Sequence, residues 1–257
     1  MTGVARRGRD RVVDSGRTEQ PFTIHTTDAH GIPARLSARA VVAASGTFAT
    51  PNPLGADGYP ADGEAAHSES ISYRVPNLRS PDGQRQYAGR RTAVVGSGHS
   101  ALTALVALAE LGVRDPATRA VWVLRRGAVG NAYGGGQSDE LPARGALGAR
   151  AREAVDSGPV EVVHGFRTRA VEGNGAHLSL VSDDGRRIDE LDRIIGLTGF
   201  RPDHSMASEL RLTLDGRLEA PARLAPLIDP NVHSCGTVSR TARPSWRMRR
   251  RECSSSG

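Results

Sequence analysis

The chain contains no lysine, so every basic side chain is arginine or histidine. We read this as the codon bias of a GC-rich genome rather than as chemistry. Cysteine occurs twice, at Cys235 and Cys253. Two are too few for a disulfide scaffold, and no CxxC pair is present, so the expected home is a reducing cytoplasm. Aromatic residues make up 4% of the chain, leaving the core to Val, Leu, Ile and Ala. No apolar run is long enough for a membrane-spanning helix. The start, Met1-Thr2-Gly3-Val4-Ala5-Arg6-Arg7, has no apolar segment behind its charges and does not read as a secretory signal. The eight histidines show no metal-ligand spacing, and no metal site is expected. Cys235 has no cysteine nearby and reads as structural rather than redox-active.

What remains is a globular composition of 257 residues, 38% apolar and 24% charged, with 30 Gly and 15 Pro. That length suits one large domain or two small ones. The formal charge of +6 is concentrated at one end. Residues 239–257 carry Arg240, Arg243, Arg247, Arg249, Arg250 and Arg251 against one glutamate. Such a tail would neutralise phosphates. Trp246 is its only aromatic and no nucleic-acid recognition motif accompanies it, so a disordered end is the better expectation.

Along the chain, residues 1–20 show no sustained period. Pro21–Thr27 and Arg35–Ala44 predict a hairpin around Asp28-Ala29-His30-Gly31. A Pro/Gly-rich connection runs from Pro51 to Gly63, and a polar stretch with little period reaches Arg91. Thr92–Val95 then reads as a strand, residues 100–111 as a helix stopped by Gly112, and Ala120–Leu124 as a second strand. This spells a parallel pair joined by a right-handed crossover. A glycine-rich loop follows at Gly130–Gly136, where Gly134-Gly135-Gly136 reads as a turn. A helix is expected from Gly145 to Val155 and a strand at Val160–His164. Residues 177–182 and 188–195 form a second hairpin around Asp183-Asp184-Gly185. The two hairpins exit alike. Val41-Val42 leads through Ser45-Gly46-Thr47-Phe48 to Pro51, and Ile194-Ile195 leads through Thr198-Gly199-Phe200 to Pro202, which suggests a weak internal repeat.

The chemistry gathers at Gly96-Ser97-Gly98-His99-Ser100-Ala101. This is GxGxxA, placed after a strand and opening a helix. The first glycine allows a tight turn, the second lets backbone approach a pyrophosphate, and the small third residue lets helix and strand pack closely. Free N–H groups and the positive end of the helix dipole favour the phosphates, with Ser97 and Ser100 as further donors. His99 lies within reach of a nucleotide or on the loop surface. The alternative is a turn that merely packs a helix. The second strand ends in Arg125-Arg126, where an acidic residue would select NAD; guanidinium groups favour the 2′-phosphate of NADPH. The bland alternative is two solvated arginines. No side chain stands out as catalytic.

With Ala44-Ser45-Gly46 before this motif and Leu197-Thr198-Gly199 after it, residues 35–238 resemble the flavin-containing monooxygenases and related FAD- and NAD(P)-dependent oxidoreductases. Gly63-Glu64-Ala65-Ala66-His67 is similar to that group's Gly-x-x-x-His stretch. Ala61 replaces the usual Phe and Tyr73 lies two positions late, which points to a looser relative. The resemblance implies an α/β fold in which an NADP(H)-binding Rossmann-type domain, with β-hairpin linkers, is inserted into an FAD domain. Residues 1–50 and 197–238 would be partial FAD-domain segments, 51–196 the NADP(H) domain and 239–257 a disordered tail. Ser45, Gly46, Thr198 and Gly199 would join Gly96–Ala101, Arg125 and Arg126 at the cofactors. The implied reaction is hydride transfer from NADPH to flavin, with a small-molecule substrate of unknown identity. Residues 1–40 carry no GxGxxG, and the run from Asp229 to Val238 gives way to the tail. The expectation is therefore a chain truncated at both ends or frameshifted at about residue 239, its FAD site completed by a neighbouring chain. A non-catalytic NADP-binding remnant is the alternative, with nucleic-acid binding through the tail behind it.

Overall fold

In a computed structural model, the described residues are 1–127, 130–133, 142–173, 175–229 and 232. Cys235, Gly134–Gly136 and the arginine tail lie outside them. The chain divides into two compact units, the first of residues 1–50 with those from 201 onward and the second of residues 51–200.

The first unit holds strands β1 (Gly3–Arg6), β2 (Phe22–Thr27) and β3 (Pro33–Ala38), paired antiparallel in that order. The hairpin forms as expected, but its second strand stops six residues early. The register sets Phe22 opposite Ala38. Before Phe22 stands Pro21, which has no N–H to extend the ladder. Residues 41–44 therefore leave the sheet, and Val42 is 86% exposed. Strand β1 was not legible in the sequence, because a single buried side chain, Val4, carries it. Later in this unit lies a short α-helix, α4 (Ala225–Ile228).

The second unit is built on a five-stranded parallel sheet. Its strands are β4 (Ile71–Ser72), β5 (Arg91–Val95), β6 (Arg119–Leu124), β7 (Val160–His164) and β11 (Arg193–Gly196), in the order β4-β11-β5-β6-β7. Helix α2 (His99–Arg114) crosses from β5 to β6, and α3 (Pro142–Asp156) crosses from β6 to β7. A second, antiparallel sheet of β8 (Thr168–Gly173), β9 (Leu178–Ser182) and β10 (Arg187–Leu191) completes the unit.

Alternation within β6 assigns the layers. Ala120, Trp122 and Leu124 pack in one cluster with Leu105 and Leu108 of α2 and Ala151 of α3. Val121 and Val123 point the other way, into a cluster with Phe166, Leu180, Ile188 and Leu191. A parallel sheet covered on both faces explains why these strands read as unbroken apolar runs. The second hairpin is thus a layer of the core, not a linker. Its return strand also splits. Glu190 takes a positive φ of 57°, the register with β9 shifts between Ile188 and Leu191, and Asp192 N–H bonds to the Arg91 carbonyl at 2.8 Å. The chain so passes from β10 in one sheet to β11 in the other.

Helix α2 runs through Gly112. One glycine in a helix costs only about 1 kcal/mol relative to Ala. Leu111 is buried, and the helix ends where the Asp115 N–H caps the Leu111 carbonyl at 2.9 Å, just before Pro116. Helix α1 (Pro81–Tyr87) is too short for its period to show. Its signal is the cap: Ser80 accepts from Gly83 N–H at 3.1 Å and proline sits in the first turn.

Candidate functional site: a glycine loop at the switch point

Strands β11, β5 and β6 run parallel, with Ile195 level with Val94 and Val95 level with Val123. Their C-terminal exits, Leu197–Gly199, Gly96–Gly98 and Arg125–Arg126, therefore lie along one edge of the sheet. Strand order reverses between β5 and β11. In open α/β sheets, ligands bind outside the carboxyl ends of the strands at such a reversal.

The two glycines of the loop are held to glycine by different causes. Gly96 has φ of +139°, and a Cβ there would lie 2.2 Å from the Leu197 carbonyl oxygen. Its own N–H bonds to Val123 O at 3.1 Å, and its carbonyl accepts the indole N–H of Trp122 at 2.8 Å. Gly96 is a packing requirement of the β5–β11 crevice. Gly98 has φ of −86° and ψ of 178°, an extended conformation open to any residue. A Cβ at Gly98 would meet no atom within 4 Å.

Gly98 is the N-cap of α2 and supplies no side-chain cap. Its carbonyl accepts from Ala101 N–H at 2.9 Å and Leu102 N–H at 3.2 Å. Ser97, Gly98, His99 and Ser100 are exposed, whereas Ala101 is fully buried against the sheet. The first turn thus offers N–H groups and two serine hydroxyls at the positive end of a 16-residue helix.

At the neighbouring exit, Arg125 and Arg126 are both exposed. Arg125 is not simply solvated: its Nη1 donates to the Ala56 carbonyl at 3.1 Å. Thr198 and Gly199 serve the backbone. The Thr198 hydroxyl donates to Asn52 O at 2.8 Å, the Asn52 side chain donates to Thr198 O at 3.2 Å, and Asn52 N–H bonds to Gly199 O at 2.9 Å. These bonds clasp the strand exit to the segment by which the chain enters the unit. Ser45 and Gly46 belong to the other unit, in an exposed stretch outside any strand.

Two groups to which the sequence assigned no role of their own are buried in this unit. Trp122 is fully buried; an indole inside an apolar strand needs a partner for its N–H, and that need was the signal. Glu64 is only 3% exposed. Its carboxylate accepts from Leu54 N–H at 3.0 Å, Ala61 N–H at 2.7 Å and the Tyr73 hydroxyl. Burial, then the bond to Glu64, pushes the Tyr73 hydroxyl well above the usual tyrosine range. Burial likewise raises Tyr87 and Tyr133. Among the described residues no cluster of His, Cys, Asp or Glu would hold a metal. No helix among them is long and apolar enough to cross a membrane.

The family model of pyridine nucleotide-disulphide oxidoreductases matches residues 2–252. The chain belongs to this family. The resemblance carried by the residues around the glycine loop agrees with this family. No curated protein matches the sequence. Among solved structures, the bacillithiol disulfide reductase of Bacillus cereus superposes with a TM-score of 0.59 at 18% identity, over 84% of this chain and 54% of that one. The cadaverine monooxygenase of Erwinia amylovora, solved with FAD bound, gives 0.58 at 14% identity, over 84% and 56%. The thioredoxin reductase of T. acidophilum gives 0.53 at 18% identity, over 76% and 54%. Such identities speak for the fold alone. The chain spans about half the length of these relatives.

Proposed function

We propose that the unit of residues 51–200 binds NADPH and presents it for hydride transfer within an FAD- and NAD(P)-dependent oxidoreductase. The observation that carries this reading is Gly98. Neither its backbone angles nor its neighbours require glycine, whereas a pyrophosphate drawn to the α2 N-terminus needs the bare backbone there. Ser97 and Ser100 would add donors to the phosphate oxygens. Arg125 and Arg126, one strand over, would hold the 2′-phosphate as charge-assisted partners. Thr198 and Gly199 would fix the floor of the crevice rather than touch the cofactor.

NADPH fits the residues present; a flavin dinucleotide does not. The described part of the other unit offers an antiparallel sheet and a four-residue helix, with no strand, glycine turn and long helix to cradle a second pyrophosphate. The cradle for FAD would come from a neighbouring chain. Ser45 and Gly46 would lie on that flavin side. The protein's own contribution is orientation: the cofactor supplies the hydride, and the crevice holds it in place.

The test is a calorimetric titration of the 257-residue chain with NADP+ and NAD+, preceded by an absorbance scan. Binding of NADP+ at least tenfold tighter than NAD+, lost in Arg125→Ala, is the expected result. Equal binding of both nucleotides contradicts the NADPH assignment. A flavin spectrum in the purified protein contradicts the need for a second chain. Tight NADP+ binding by a colourless protein, with no electron transfer when a flavoprotein partner is added, would favour a non-catalytic remnant.

A further inference from the structure

We infer that Glu64 is a positioning residue for Arg125: its buried carboxylate holds the 54–61 loop so that the Ala56 carbonyl anchors the guanidinium at the nucleotide crevice. The inference rests on the reading of Arg125 as a 2′-phosphate ligand.

The connection can be followed bond by bond. Glu64 draws together both ends of the loop, Leu54 N–H at 3.0 and 3.1 Å and Ala61 N–H at 2.7 Å. Within the loop, Gly55 packs so tightly that a Cβ would lie 2.1 Å from Tyr59 O, and Gly58 N–H closes a turn onto Gly55 O at 3.2 Å. Ala56 N–H is fixed to Thr168 O at 3.0 Å. Its carbonyl, so oriented, receives Arg125 Nη1 at 3.1 Å. Among the described residues, that carbonyl is the only partner of Arg125.

Two features single out Glu64 from an ordinary packing residue. All the hydrogen-bond donors to its carboxylate are neutral N–H and O–H groups, with no guanidinium among them. A buried carboxylate is costly, and only a full set of donors offsets that cost. The set is also one that only an acceptor satisfies. A glutamine of the same shape would, whichever way its amide faced, turn its NH2 toward a backbone N–H of Leu54 or Ala61, donor against donor. The loop would then lose one anchor, and with it the fixed position of Ala56 O. A free arginine must be ordered when phosphate binds; one already tethered has less freedom to lose. The consequence is confined to the 2′-phosphate, because the glycine loop on β5 and α2 shares none of these bonds.

The experiment measures dissociation constants for NADP+ and NAD+ on the full chain, its E64Q and R125A variants and the double variant, with circular dichroism to verify folding. We expect E64Q to weaken NADP+ by about fivefold and leave NAD+ within twofold, because only the 2′-phosphate contact is disturbed. E64Q should add nothing to R125A in the double variant. Equal weakening of both nucleotides marks a merely structural carboxylate and overturns the inference; so does an unchanged NADP+ to NAD+ ratio. Should E64Q not fold, Y73F carries the test, since it removes one donor and leaves the carboxylate in place. About a twofold loss confined to NADP+ is then expected, and constants unchanged from the parent, or weakened equally for both nucleotides, overturn the inference. A parent chain that binds both nucleotides equally overturns the NADPH reading and this inference together. A parent that discriminates while its E64Q variant keeps the same NADP+ to NAD+ ratio overturns this inference alone.

Discussion

Two stretches of this chain carry nearly the same letters and have opposite fates. Ile194-Ile195, leading to Thr198-Gly199, lies in the middle of the parallel sheet, with both isoleucines fully buried and the exit clasped to Asn52. Val41-Val42, leading to Ser45-Gly46, stands outside any strand, with Val42 exposed. The difference is not in the residues but in what flanks them. β11 lies between β4 and β5, whereas the ladder that would have carried residues 39–44 stops where β2 begins, at Phe22 after Pro21. A β-branched pair makes a strand only when a neighbour has N–H and C=O groups left to give.

Mutation sharpens this contrast. Ile194→Ala should cost about 2–5 kcal/mol, because it opens a cavity in a closed layer. A urea denaturation curve followed by the fluorescence of buried Trp122 reads it directly. Gly96→Ala, which drives a Cβ against the Leu197 carbonyl on that side of the crevice, should cost about 2–4 kcal/mol by the same measurement. Thr198→Ala, which removes one bond of the clasp, should cost about 1 kcal/mol. Val42→Ala should stay within about 0.5 kcal/mol of the parent; a loss comparable to Ile194→Ala would mean that the first stretch is also buried in a sheet.

A pH series separates the units in another way. The folded chain holds the Tyr73 proton more tightly than the unfolded chain does. The stability this contributes is therefore complete below about pH 10, the unfolded value. It declines as pH rises beyond that value, because the unfolded chain releases a proton that the folded one keeps. Tyr73→Phe should flatten that alkaline decline in urea midpoints measured between about pH 9 and 11. An unaltered slope would contradict the burial of this hydroxyl.

Much of the second unit was legible because its signals are local. The strand, GxGxxA turn, helix and strand from Arg91 to Leu124 carry their period within 34 residues, and the structure places them in the order read, with α2 running past Gly112 to Arg114. What escaped was either short or long-range. Helix α1 has seven residues and declares itself only by Ser80 and Pro81. Strand β8 and the split between β10 and β11 depend on partners that no periodicity announces. In the site, the glycines and arginines were visible as types. The different reasons for Gly96 and Gly98 were not, since one depends on Leu197, a hundred residues away in sequence, and the other on empty space. Glu64 stood at a variable position of the Gly-x-x-x-His stretch, and only the fold brings Leu54, Ala61 and Tyr73 to it.

The most direct test of the account is the binding of NADPH to Gly98→Ala, measured beside its thermal midpoint. The added methyl meets nothing in the protein, so the midpoint should stay within about 2 °C of the parent, as for a change that costs under 0.5 kcal/mol. The affinity for NADPH should fall at least about tenfold, because the methyl occupies the place where the pyrophosphate approaches the backbone. A variant equally stable that binds NADPH as tightly as the parent would show that the loop is a turn that packs a helix, and that the nucleotide, if bound, lies elsewhere.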